Sequence, residues 1–151
     1  MSKKSFKILS MNISEKKGIQ KKPVNTMELK PDHGIVGDAH AANWHRQVSL
    51  LAEEDINTIR GKGIDINFGD FAENITTEGV NLSSLPIGTR LYIGETELEV
   101  TQIGKECHQH CAIFHTVGDC VMPKKGIFAK VLKGGIITVE SECSYSSSDI
   151  I

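Results

Sequence analysis

Apolar and polar residues alternate with a period of two along much of this chain, which is the signature of strands covered on one face. Phe6, Ile8, Met11 and Ile13 mark a first strand over Phe6–Ile13, with a slip in the alternation near Leu9 and Ser10. The lysine-rich stretch from Glu15 to Pro23 reads as a solvated hairpin or loop, and strand character resumes over Val24–Leu29. Gln47–Leu51 is short, apolar and β-compatible. Asn74–Thr77 and Leu82–Leu85 flank a turn at Glu78-Gly79. Thr89–Ile93 and Glu97–Ile103 bracket Gly94-Glu95-Thr96 and predict a hairpin, with Leu98, Val100 and Gln102 alternating against Glu97, Glu99 and Thr101. Ile136–Glu140, after the Gly134-Gly135 turn, reads as a closing strand, and the serine-rich tail from Ser141 to Ile151 reads as frayed.

Helical signals are few. Ala52–Gly61 has Glu53, Glu54 and Asp55 at its start, Ile56 and Ile59 on one face, and Gly61 after its end, the charge and breaker order of a short helix. Ile127–Leu132 reads as a second short helix. Many short strands, fourteen glycines and few helices predict a mainly β fold, a closed or nearly closed β-barrel with a few short helices. With 151 residues and no internal repeat, the chain reads as a single domain over 1–151 with a core of about 5–140.

Composition narrows the partners. A net charge of −2 and 5% aromatic residues give neither the basic footprint nor the stacking platforms of a nucleic-acid binder. No apolar run reaches membrane-spanning length, and the start MSKKSFKILSMNI is not a secretory signal. The expected location is the cytoplasm, where thiols bind metals or react more often than they form a disulfide framework.

The chemistry concentrates in residues 107–123, CHQHCAIFHTVGDCVMP. Cys107, Cys111 and Cys120, three of the four cysteines, fall there with His108, His110 and His115, three of the six histidines. Thiolates suit soft metals and sulfur transfer, and a nearby cation lowers a thiol's pKa. The residues alone leave open a metal site, a sulfur nucleophile or buried apolar filler. A zinc site would have to fold Cys107, Cys111 and Cys120 back with a histidine, a spacing that matches no standard finger. Cys143, outside the cluster, reads as a core cysteine or an incidental thiol.

Three further segments carry polar groups. In GIVGDAH (34–40) two glycines suggest a tight turn that presents Asp38 and His40, and Arg46 follows with a planar fork suited to phosphate or carboxylate. The plainer reading makes Asp38 a turn cap and Arg46 a surface ion-pair partner. Glu73 and Asn74 precede a β-branched run, where an asparagine satisfies backbone at a bend or hydrogen-bonds a heterocycle. Lys124, Lys125, Lys130 and Lys133 form a solvated basic face or the edge of an anion pocket.

GIVGDAH (34–40), WHRQVSLL (44–51), FGDFAENITTEG (68–79), LPIGTRLYIGETELEVTQIGKECHQHC (85–111) and CVMPKKGIFAKVLKGG (120–135) together resemble the MOSC domain, the family named for the C-terminal domain of molybdenum cofactor sulfurase. The resemblance runs in order over roughly residues 5–140 and is nearest to the small stand-alone bacterial type. It implies a β-barrel, a pocket for molybdenum cofactor (molybdopterin), and a functional cysteine that maps to Cys111, with Cys107 as its companion. Cys111 would carry sulfur or ligate molybdenum, and Cys120 belongs to the small-member pattern. Arg46 and Asn74 match family cofactor contacts. His40, Lys105 and Lys124 are further candidate contacts, and Gly34, Gly37 and Gly69 would let backbone approach the pterin.

The resemblance implies a cofactor-handling protein or sulfur carrier in molybdenum cofactor metabolism. Its partner would be a cysteine desulfurase or a molybdoenzyme, because nothing in the sequence resembles a pyridoxal-phosphate desulfurase. The alternatives are a molybdenum-dependent component reducing N-hydroxylated compounds with a separate redox partner, and a structural zinc domain.

Overall fold

The computed structural model describes residues 4–14, 22–39, 41–44, 46–61, 73–103 and 126–146. In chain order the elements are β1 (Lys4–Ile13), β2 (Lys22–Pro23), β3 (Thr26–Lys30), β4 (Gly34–Ile35), β5 (Val48–Ala52), α1 (Glu53–Arg60), β6 (Ile75–Glu78), a 3₁₀ turn at Leu82–Ser84, β7 (Arg90–Ile93), β8 (Thr96–Ile103), β9 (Ile127–Lys133), β10 (Gly135–Thr138) and β11 (Cys143–Ser146).

Seven strands close into a barrel in the order β11-β7-β8-β9-β5-β6-β1, and β11 pairs back onto β1. Closure removes the sheet edges that would otherwise template aggregation. All pairs in the ring are antiparallel except β5 with β6, which run parallel at Leu50↔Ile75. β2 extends the far end of β1, and β3 pairs with β10 and β4 in a second, three-stranded sheet. Alternate side chains fill the interior. Met11, Leu50, Ile75, Leu91, Leu98, Val100, Ile127 and Ala129 share one buried core with Met27, Leu29, Ile35 and Ile137 of the small sheet.

Several sequence expectations are met in detail. The slip near Leu9 and Ser10 is a register shift between Ile8↔Thr77 and Ser10↔Thr76. The hairpin turns at Gly94-Glu95, and α1 begins on its three acids and ends where the Gly61 N–H donates to the Asn57 carbonyl at 3.0 Å.

Others are corrected. Ile127–Leu132 is not a helix but most of β9, hydrogen-bonded on both sides to β5 and β8. Ile127, Ala129 and Val131 face the core while Phe128 is buried on the other side, so the run is apolar on two faces and loses its alternation. Within Leu82–Leu85, Leu82–Ser84 is a 3₁₀ turn that buries Leu82 rather than a strand. Ile136–Glu140 contributes β10, which pairs with β3 and does not close the barrel. Closure belongs to Cys143–Ser146, inside the stretch expected to fray. Its polar serines hide a strand that is held by backbone pairing on both edges.

Candidate functional site

Arg46 stands just before β5, half-buried against the outer wall of the barrel. Its neighbour Gln47 fixes the chain there. The Gln47 side-chain oxygen accepts from the Val131 N–H at 2.9 Å, prolonging the β5–β9 pairing beyond Val48↔Ala129. Gly34 packs on the same residue so closely that a Cβ at 34 would lie 2.9 Å from the Gln47 carbonyl oxygen. Arg46 therefore leaves from an anchored backbone.

Two contacts orient its side chain. Nε donates to Gln102 Oε1 at 3.0 Å, and the guanidinium carbon lies 5.3 Å from the centroid of the Phe128 ring. The ring face attracts the cation and limits its swing. Among the described residues the two terminal amino groups have no hydrogen-bond partner. Arg46 does not brace the Asp38 turn. The Asp38 carboxylate accepts from the Ser14 N–H at 3.1 Å and ties that turn to the end of β1.

Gln102 was expected on the inner face with Leu98 and Val100. A register shift between Val100↔Ala129 and Gln102↔Phe128 places it instead beside Phe128. Periodicity contained no sign of this residue's part in the site; only the pairing register reveals it.

Asn74 lies deeper, at the start of β6. Its Oδ1 accepts from the Ser49 N–H at 3.0 Å and the Ser49 hydroxyl at 3.1 Å, and its Nδ2 donates to the Asn12 carbonyl at 3.1 Å. The Ser10 hydroxyl donates to Asn12 Oδ1 at 3.0 Å, and the wholly buried Glu73 accepts from the Thr76 hydroxyl at 3.0 Å. This polar seam binds β1, β5 and β6 together. The carboxamide of Asn74 is engaged by the framework on both its oxygen and its nitrogen.

Cys107, Cys111, Cys120, His40, Lys105 and Lys124 lie outside the described residues. The described chain does show where the cysteine segment is rooted. It departs after Ile103 and returns at Gly126, and Ile103 and Ile127 are paired neighbours. Gln102 and Phe128, the two residues that orient Arg46, each adjoin one member of that pair. Among the described residues no group of three or more His, Cys, Asp or Glu is arranged to hold a metal ion. The remaining cysteine, Cys143, is a core residue. Burial pushes its thiol up to about 12, and the Ile8 backbone hydrogen bond only partly opposes this. Such a thiol is neutral and inert at ordinary pH. Among the described residues no helix is long and apolar enough to cross a membrane.

A family model described as the MOSC domain matches residues 37–144. No curated protein matches the chain by sequence. In shape the chain is similar to the YuaD protein from Bacillus subtilis, with a TM-score of 0.81 at 19% identity over 97% of this chain and 99% of that one. It is similar to YiiM from Geobacillus stearothermophilus, with a TM-score of 0.70 at 19% identity over 96% of this chain and 77% of that one. YiiM from Escherichia coli gives 0.69 at 17% identity over 95% and 70%. At these identities the likeness establishes the fold.

Proposed function

The chain belongs to the MOSC domain family, and on that premise we propose that it handles molybdenum cofactor, with Arg46 holding the cofactor phosphate and Cys111 serving as sulfur carrier or molybdenum ligand. The observation that supports the reading most is the placement of Arg46. An oriented guanidinium, its terminal amino groups unengaged among the described residues, stands at the root of the segment that carries Cys107 and Cys111. A guanidinium fork offers two parallel charge-assisted bonds to a phosphate, which fits the anionic end of the cofactor.

The remaining residues divide by chemistry. When bound, the cofactor would supply a redox-active molybdenum held by a pterin dithiolene. The Cys111 thiolate is soft enough to ligate molybdenum or to hold a persulfide, and Cys107 stands beside it in sequence as the second thiol. His40, Lys105 and Lys124 are proposed as further contacts to the anionic cofactor. Asn74 acts by tying β6 to β5 through Ser49 and to β1 through Asn12. A separate cysteine desulfurase or a molybdoenzyme is the proposed exchange partner.

The test is the metal and pterin content of protein purified from a host that makes the cofactor. Wild type is expected to carry molybdenum and pterin, Cys111→Ser to lose persulfide or cofactor, and Cys143→Ser to keep both. Zinc in place of molybdenum, or equal behaviour of the two cysteine variants, overturns the reading.

A further inference from the structure

An unbroken β8 would send Gln102 into the barrel. Leu98 and Val100 are wholly buried inside it, and a period of two puts residue 102 on the same face. The register cancels that. Val100 lies opposite Ala129, yet Gln102 lies opposite Phe128, so two steps along β8 match one step along β9. Thr101 is the extra residue of a β-bulge. Its hydroxyl donates to the Phe128 carbonyl at 3.2 Å, tying the bulge to the strand opposite. A bulge bends its strand and re-aims the side chains that follow it. Here it turns Gln102 to the outer wall, where Phe128 is buried against Arg46.

We propose that the Thr101 bulge makes Gln102 a positioning residue, which clamps Nε of Arg46 so that a phosphate group is received end-on by the two terminal amino groups. This rests on the phosphate reading of Arg46 and adds to it the residue that sets the direction of approach. A guanidinium can grip an oxyanion through its two terminal amino groups or through Nε and one of them. With Nε–H donated to Gln102 Oε1, the second mode is closed. With the Phe128 ring over the guanidinium, rotation out of plane is hindered. The first mode remains. Preorganisation of this kind raises affinity by removing the cost of ordering a long side chain on binding.

The experiment is an NMR titration of the full chain with inorganic phosphate, following the side-chain nitrogen signals of Arg46. Gln102→Met keeps length and removes the acceptor, Gln102→Glu keeps the acceptor, and Phe128→Leu removes the ring. In wild type, phosphate is expected to shift the terminal amino signals while the Nε–H exchanges slowly with water. Gln102→Met should bind phosphate about 10-fold more weakly, roughly 1.4 kcal/mol, because the freed side chain must then be ordered on binding, and its Nε–H should exchange faster. Gln102→Glu should keep the slow exchange. Phe128→Leu should weaken binding by about 3-fold. If Arg46→Lys loses phosphate while Gln102→Met binds like wild type with a slow Nε–H, the positioning role is wrong and the phosphate reading stands. If wild type shows no phosphate shift, or Arg46→Lys binds equally well, the phosphate reading itself fails. A lower melting temperature with unchanged affinity and exchange would make Gln102 a purely structural residue and overturn the proposal.

Discussion

Asn74 and Ser49 hold each other reciprocally where the parallel strands β5 and β6 begin. The Ser49 N–H and hydroxyl both donate to Asn74 Oδ1, and the Asn74 N–H returns a bond to the Ser49 hydroxyl oxygen at 2.9 Å. Both residues are buried, so no water can replace a lost partner cheaply. Asn74→Ala removes the carboxamide that accepts from the Ser49 N–H and donates to the Asn12 carbonyl. The expected cost is about 3 kcal/mol in a urea unfolding curve. A variant as stable as wild type would contradict the framework role.

Cys143 gives a pH prediction with a definite sign. Its thiol is raised from 9.0 to about 12, so the folded state holds this proton more tightly than the unfolded state. The contribution to stability is complete below pH 9 and is lost as pH rises toward 12. Unfolding measured from pH 8 upward should therefore show an alkaline loss of stability that shrinks in Cys143→Ala. Iodoacetamide should label Cys143 in urea and spare it in native protein at pH 8, and rapid native labelling would refute its place in the core.

Gly34 and Gly37 separate two reasons for a glycine. Both have positive φ, +113° and +90°, but a Cβ at Gly34 would meet backbone 2.9 Å away while at Gly37 it would meet nothing within 4 Å. Gly37→Ala should cost about 1 kcal/mol, the backbone term alone. Gly34→Ala should cost more and should also displace Gln47, and with it Arg46. Equal melting temperatures for the two variants would sink this distinction.

Arg46 and Arg90 both lie on the outer wall, and of the two only Arg46 has both terminal amino groups unengaged among the described residues. Arg90 Nη1 pairs with Glu97 Oε2 at 2.7 Å, and its Nη2 lies 3.9 Å from Glu99 Oε1. Arg90→Lys should leave phosphate binding unchanged and shift stability by less than about 1 kcal/mol, as exposed ion pairs do. Arg46→Lys should weaken phosphate binding about 10-fold with little change in melting temperature. Equal effects on binding would remove the reason for singling out Arg46.

The strands were legible where one face is wet. Phe6 and Ile8 announce β1 because Lys7 between them is charged and exposed, and even the bulge before Met11 showed as a broken rhythm. β9 was misread because both of its faces are covered, and a short continuous apolar run cannot be told from a buried helix by period alone. β11 escaped notice because only Cys143 and Tyr145 turn to the core, Tyr145 partly buried, and the serines between and after them are held by backbone bonds that leave no mark on composition. Arg46 could be nominated from its chemistry, but Gln102, 56 residues away, could not, since a bulge reverses the face that alternation assigns. The cysteine cluster was the loudest signal in the sequence, and it falls outside the described residues.

The seam that closes the barrel joins Lys4–Phe6 to Cys143–Tyr145, segments far apart in the sequence. A chain emerging from the ribosome can build β5 through β9 while it is still growing, but β1 and β7 each wait for β11, which is made after all of these strands. Until then both present open edges to every other nascent chain in the vicinity. Copies that stop short of Cys143 keep both edges for their lifetime, so the hazard for this fold lasts until one short strand, β11, is laid between β1 and β7.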